Sequence, residues 1–247
     1  MNPPCRIHAM IVAAGRGSRF GASVAKQYTQ VQNQTLLQLS VARLASGNHT
    51  DQCLLVVAAD DSTAQTLDFA MPVYYAIGGA ERWQSVQAGV AAIGRTGADD
   101  SDLVLIHDAA RPAVPSDDID RVIEAALSEP YGAILATPVA DTLKTSYTKA
   151  IVSDKSSDNS NQHHYAKQTI DRSSMWQAQT PQVFRLGALK KVLEHVAEHR
   201  LTITDEASAF EYLDLPIRLI TGSRQNIKLT YPDDALLLSA ILKAQSD

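Results

Sequence analysis

Over the first 140 residues, short runs that are apolar throughout alternate with stretches in which apolar side chains recur every third or fourth position. The runs are RIHAMIVAA (6–14), QCLLVVAA (52–59), PVYYAI (72–77), DLVLIH (102–107) and YGAILATPV (131–139). Runs of this length, apolar on both faces, predict strands of a parallel sheet covered on each side. Between them LLQLSVARLAS, ending at Gly47, RWQSVQAGVAAI, ending at Gly94, and DDIDRVIEAALSE, capped by Ser116, predict helices. The expected fold is α/β: a mostly parallel twisted sheet, Rossmann-like, with helices on both faces. Ligands of such sheets bind beyond the carboxyl ends of the strands. Three loops leave those ends, AAGRGSRFG, GGAERWQS and HDAARP, and should converge on one cleft.

The rhythm breaks at residues 140–172. There TLKTSYTKAIV and YAKQTI flank the polar stretch SDKSSDNSNQHH (153–164). This predicts a projecting β-hairpin arm on a single domain spanning 1–247, with a polar tip and little core of its own, so that a second subunit supports it. The chain then returns to a helix (GALKKVLEHVAEHR), a TDEASAFEYL helix, strands PIRLIT and NIKLT, and a closing helix from Pro232.

Charge changes the picture more than composition does. The chain of 247 residues is 45% apolar, carries a net charge of −5, and has two cysteines, too few for a disulfide framework. An acidic chain argues against nucleic acid or an anionic membrane as partner. No run approaches the about 20 apolar residues that span a bilayer, and the amino terminus is unlike a signal peptide, so a cytoplasmic protein is expected. Yet the first acid is Asp51, while Arg6, Arg16, Arg19, Lys26 and Arg43 precede it. A glycine loop kept clear of carboxylates suits a highly charged anion.

That loop fits neither common phosphate template: Phe20 and Gly21 stand where a P-loop needs Gly-Lys, and Phe20 where a dinucleotide loop needs its third glycine. Gly15 and Gly17 open the backbone, and Arg19 and Lys26 can reach in as fork and point charge. Asp108, at the mouth of a buried strand beside Arg111, suits Mg²⁺ if substrate phosphates complete the shell; a turn aspartate is the plainer alternative. His107 reads as a packed strand-end residue. Gly79 and Ser85 of GGAERWQS could meet a nucleobase or ribose. In TDEAS, Thr204 reads as a helix cap, and Asp205 and Glu206 as first-turn acids matched to the helix dipole. Lys228, in an apolar strand, needs an anion or an exit to solvent. HVAEH (195–199) has the spacing of a zinc peptidase motif, but on a helix of charged residues it reads as exposed.

Taken in order, AAGRGSRFG with AKQY, GGAERWQSV, HDAARP, DTLK, TIDRSSMW, QTPQVF, ITDEAS and NIKLTYPDD resemble the 2-C-methyl-D-erythritol 4-phosphate cytidylyltransferases of the non-mevalonate isoprenoid pathway. The resemblance covers nearly the whole chain. It implies a nucleotidyltransferase fold, a homodimer through the exchanged arm, and transfer of CMP from CTP with Mg²⁺. It assigns CTP contacts to Ala13, Ala14, Gly15, Gly79 and Ser85, charge stabilisation to Arg19 and Lys26, and the metal to Asp108. It also assigns Arg111, Thr180 and Thr204 to the nucleotide and substrate pocket. Arg172 and Lys228 would position methylerythritol phosphate, and Asp141 and Thr142 would reach the partner subunit's substrate. Two departures stand out: Ala25 where the family commonly has Pro, and Ala80 where it often has Asp. The competing readings are transfer to another polyol phosphate such as ribitol 5-phosphate, an NAD-dependent dehydrogenase, and a non-catalytic nucleotide-binding regulator.

Overall fold

The computed structural model describes residues 5–15, 25–47, 49–150 and 162–245, which form two compact units. The larger comprises the chain up to Ala136 and from Ala178 onward. Its elements begin with β1 (Ile7–Val12), β2 (Gln30–Val31), β3 (Gln34–Thr35), α1 (Leu36–Ala45), β4 (Cys53–Val57), β5 (Val73–Ile77), α2 (Arg82–Arg95), β6 (Leu103–Asp108), α3 (Ser116–Ser128) and β7 (Gly132–Pro138). After β8 (Leu143–Ala150) and β9 (Gln162–Ile170) come β10 (Trp176–Arg185), α4 (Leu186–His199), α5 (Glu206–Glu211), β11 (Arg218–Thr221) and α6 (Asp234–Ala244).

Seven strands form one sheet in the order β11-β7-β10-β6-β1-β4-β5. The β1–β4, β1–β6, β4–β5 and β7–β11 pairs are parallel, and β10 runs antiparallel to β6. Alternation along β1 sorts the core into two layers. Ala9 and Ile11 pack with Leu37 and Val41 of α1 and Ile119 and Val122 of α3. Met10 faces the other way, with Val86 and Val90 of α2, Val192 of α4 and Phe210 of α5. Because each face of the sheet is buried, successive side chains must both be apolar, and the strands carry no polar alternation. The mostly parallel α/β sheet expected from the sequence is present.

Several local readings need correction. QTPQVF lies in β10, which sequence patterning does not single out: its run is interrupted by Gln182, buried through a hydrogen bond from its amide to Asp205 Oδ2 (2.8 Å). NIKLT joins no strand ladder and is irregular chain. Gly94 lies inside α2, and Gly97 (φ +78°) takes the left-handed position beyond the helix end. Ser116 is the first residue of α3, preceded by Pro115 as an N-cap without a side-chain hydrogen bond. The cap of α5 is Asp205, not Thr204: its carboxylate accepts from Ser208 N–H at 3.1 Å.

The second unit, Thr137–Gln177, contains the hairpin expected within 140–172. Strands β8 and β9 pair antiparallel from Leu143↔Ile170 to Ala150↔Gln162, with an irregularity at Thr145/Ser146. Tyr147 stacks on Tyr165 across the ladder (5.5 Å between centroids), though both remain largely exposed.

The seating of α2 turns on Gly89. A Cβ there would lie 2.1 Å from Met10 Sδ and 3.0 Å from Val56 Cγ2, and both residues are fully buried. Gly89→Ala should therefore destabilise the fold by about 1–3 kcal/mol despite alanine's better helix propensity. Chemical denaturation of the two proteins measures this, and equal stability would show that the helix–sheet contact has slack.

Candidate active site

The loops beyond the carboxyl ends of β1, β5 and β6 enclose a cavity of about 220 Å³ lined by Ala13, Ala14, Gly15, Lys26, Gly79, Ser85, Arg82, Asp108 and Lys228 among others. Its walls follow from backbone geometry. Ala13 N–H and Gly78 N–H donate to Val56 and Val57 carbonyls of β4, each at 2.8 Å, which draws the first two loops together. Contact is so close that a Cβ on Gly78 would lie 2.6 Å from both Ala14 Cβ and Ser85 Oγ. Ser85, almost fully buried, accepts from Gly79 N–H at 3.2 Å and so ties the glycine turn to α2. Around Gly15 a Cβ would meet no described residue within 4 Å.

Lys26 reaches the cavity from a short 3₁₀ turn, Lys26–Tyr28. Its neighbours fix that turn. Gln27 is buried and its amide donates to the Ala13 carbonyl (2.8 Å), while the Tyr28 hydroxyl bonds Asp61. Both positioning residues lie in the AKQY motif, although only the lysine stood out there. Ala25 adopts φ −59°, ψ 137°, within the range proline imposes, so its replacement of Pro leaves this backbone conformation intact. Gly17 and Arg19 lie outside the described residues.

Asp108, which also lines the cavity, ends β6 with its carboxylate buried among cations. Oδ1 lies 3.1 Å from Arg82 Nη2, Oδ2 lies 2.7 Å from Lys228 Nζ, and Arg111 Nε is 3.9 Å from Oδ2. Burial alone would push the carboxyl up; Arg82, Lys228 and Arg111 outweigh it and hold the group far below the usual carboxylate range. Asp108 is therefore ionised at any working pH. Lys228 has the anion its apolar surroundings demanded. Its segment is anchored on both sides: Asn226 donates to Thr180 O (2.9 Å) and Gln179 Oε1 (3.1 Å), and Leu229 N–H donates to Ala110 O (2.9 Å).

Arg82 and Glu206 are the members sequence reasoning missed. Glu206 is fully buried, and Arg82 pairs with it through Nη1 while holding Asp108 through Nη2. Helix-dipole complementarity does not account for a carboxylate with no solvent contact. The sequence signal for Arg82 was its place in GGAERWQS, one of the three loops predicted to converge; for Glu206 there was none beyond its place in the ITDEAS motif.

Arg111 and Thr180 sit behind the wall and do not line the cavity. Arg111 donates to Asn226 O at 2.6 Å. Thr180 Oγ1 accepts from Asp108 N–H (3.0 Å) and lies 3.0 Å from His107 Nδ1, while His107 Nε2 lies 3.0 Å from Arg111 O. A carbonyl only accepts, so Nε2 carries the proton and Nδ1 accepts from the threonine hydroxyl. His107 is packed at the strand end, as its sequence position suggested. Thr204 is exposed, and so are Asp141, Thr142 and Arg172, the last three within the second unit. His195 and His199 lie one turn apart on α4, with His199 Nδ1 3.0 Å from His195 O. Among the described residues no three His, Cys, Asp or Glu side chains cluster as a ligand set built from protein alone.

A mostly parallel α/β sheet whose strand ends hold a cavity lined by glycines, two lysines and the buried, ionised Asp108 has the architecture that nucleotidyl transfer needs. Residues 7–244 match the family model described as IspD: 2-C-methyl-D-erythritol 4-phosphate cytidylyltransferase, and the chain belongs to that family. A protein of that name from Psychrobacter cryohalolentis is 68% identical over 266 aligned positions, covering 99% of this chain and 95% of the relative. One from Neisseria meningitidis is 40% identical over 239, covering 96% and 97%. Among solved structures, a 4-diphosphocytidyl-2C-methyl-D-erythritol synthase superposes with a TM-score of 0.78 at 36% identity, covering 98% of this chain and all of that one.

Burial lowers the His107 pKa to about 4, with Asp108 opposing. Between that value and the ordinary one near 6.5, the unfolded chain binds a proton that the folded one refuses, so stability falls as pH drops through this window. In metal-free buffer His107→Gln should flatten the decline between pH 6.5 and 4, by roughly 3 kcal/mol in total. Urea unfolding at four pH values measures this, and parallel curves for the two proteins would refute the buried neutral imidazole.

Proposed function

We propose that this chain transfers CMP from CTP to 2-C-methyl-D-erythritol 4-phosphate, releasing pyrophosphate, in isoprenoid precursor synthesis. The observation that carries the reading, beside family membership, is the cavity whose lining brings together Lys26, Lys228 and an ionised Asp108. An oxygen of the acceptor's phosphate forms a bond to the α-phosphorus of CTP, and the bond to the bridging oxygen breaks, with its electron pair leaving on pyrophosphate. The second pKa of a phosphate monoester is near 6, so the nucleophile is a dianion at neutral pH and needs no general base. Accordingly, the residues that matter are those that orient phosphates and offset their charge.

Lys26 is assigned to the charge growing on the α-phosphate, with Arg19 as its expected partner from the glycine loop. Ala13, Ala14, Gly15, Gly79 and Ser85 supply the backbone and hydroxyl groups that hold the nucleotide. Lys228 is assigned to the acceptor's phosphate. Asp108 suits Mg²⁺ because it is ionised, lines the cavity and offers hard oxygen donors; a single carboxylate serves when nucleotide phosphates and water complete the shell. Bound there, the ion would offset charge on the triphosphate. Arg111 and Thr180 act from behind, by shaping the segments that carry Asp108 and Lys228. Asp141 and Thr142 belong to the arm, and we assign them to the acceptor of a second subunit in a homodimer. No described helix is long and apolar enough to cross a membrane, in keeping with a cytoplasmic enzyme.

Lys26→Ala should lower turnover on the order of 10²–10³-fold with the fold retained, as expected for loss of one preorganised charge. Steady-state pyrophosphate release reads this, and wild-type turnover would remove Lys26 from the mechanism. The same assay, with methylerythritol phosphate and ribitol 5-phosphate offered in turn, separates this acceptor from its nearest rival. Preference for the methylated tetritol phosphate is expected, and equal or better use of the ribitol ester would overturn the assignment.

A further inference from the structure

Glu206 presents a physical puzzle. Its carboxylate is completely buried, one oxygen is taken by Arg82, and Oε2 has no hydrogen-bond partner among the described residues. A buried ion pair seldom repays the desolvation of its charges, and an unpaired buried oxygen adds a further cost. Fold stability is thus a poor reason for this carboxylate to be where it is. Its hydrogen-bonded partner offers a better reason. Arg82, the first residue of α2, spends one nitrogen on Glu206 and the other on Asp108 Oδ1 at 3.1 Å, and Arg82 and Asp108 both line the cavity while Glu206 does not.

We infer that Glu206 is a positioning residue for the transfer reaction: by holding one side of the Arg82 guanidinium, it leaves Arg82 a single bond for Asp108 and so keeps that carboxylate turned toward the cavity. The geometry of the fork explains the effect. A guanidinium freed from Glu206 can close on Asp108 with two parallel hydrogen bonds, the stronger arrangement, and withdraw its charge from the ligand. Glu206 touches nothing that reacts and acts only through Arg82. The inference rests on the reading of Asp108 as the group that meets the metal-bearing triphosphate.

Glu206→Gln preserves size but replaces the charge-assisted hold on Arg82 with a weaker neutral acceptor, so the guanidinium is free to turn toward Asp108. We expect kcat to fall about 10–100-fold, with the KM for CTP changed less than about threefold, and Glu206→Asp to recover part of the loss. The double variant Arg82→Ala/Glu206→Gln should be no slower than Arg82→Ala alone, because two residues acting through one contact do not add. Independently of turnover, the rise in melting temperature given by CTP alone should survive in Glu206→Gln, while the further rise on adding Mg²⁺ should shrink. A merely structural Glu206 would instead lower the melting temperature while leaving both kcat and the Mg²⁺ increment untouched. Should Glu206→Gln fail to fold, the same comparisons are made with Glu206→Asp, which keeps the charge one methylene short; kcat and the Mg²⁺ increment both matching wild type would then overturn the inference. Asp108→Asn separates the two levels: normal turnover there removes the underlying reading, whereas an inactive Asp108→Asn beside a fully active Glu206→Gln overturns this inference alone.

Discussion

One constraint organises the working end of this molecule: an ionised carboxylate must be kept at the end of a buried strand. Asp108 follows five consecutive buried residues of β6, and burial by itself would neutralise it. Three cations from three separate segments prevent this: Arg82 from α2, Arg111 from the turn after β6, and Lys228 from the irregular chain before α6. The requirement that they meet at one point sets the positions of the loops. The glycine turn after β5, the buried Asn226 and the buried Glu206 all serve that convergence.

The layer architecture was legible because sheet burial on both faces leaves a simple mark, apolar runs such as CLLVV and LVLIH, that needs no tertiary information. Strand β10 was not, since Gln182 is buried by a polar contact with Asp205, from a segment twenty-three residues away. NIKLT misled for the converse reason. Its apolar residues are buried by α6 and the 110–114 region, so it looks like a strand without pairing as one. At the site, Lys26, Asp108 and Lys228 could be picked out because a charge beside a glycine loop or within an apolar run is locally anomalous. Glu206 could not, because at a helix start an acid is locally ordinary, and only the position of Arg82, 124 residues away, makes it unusual.

The chemistry is spare as a result. Its nucleophile arrives already charged, so the protein need only hold phosphates in line and meet the charge that shifts between them. Gln27 and Tyr28 illustrate how little of this is done by the groups that touch ligand. Neither carries charge, yet between them they pin the turn that brings Lys26 to the cavity.

The string of contacts behind Asp108 has a consequence for side reactions. It starts at a peptide N–H, passes through the Thr180 hydroxyl and the His107 ring, and stops at a peptide carbonyl. Neither terminus ionises, and the imidazole between them is sealed from solvent. Such a wire is dead at both ends: it can stiffen the strand but cannot carry a proton out. An imidazole beside an activated triphosphate would ordinarily invite it to turn a stray water into hydroxide. Insulated in this way, it can give a water in the cavity no help as a base.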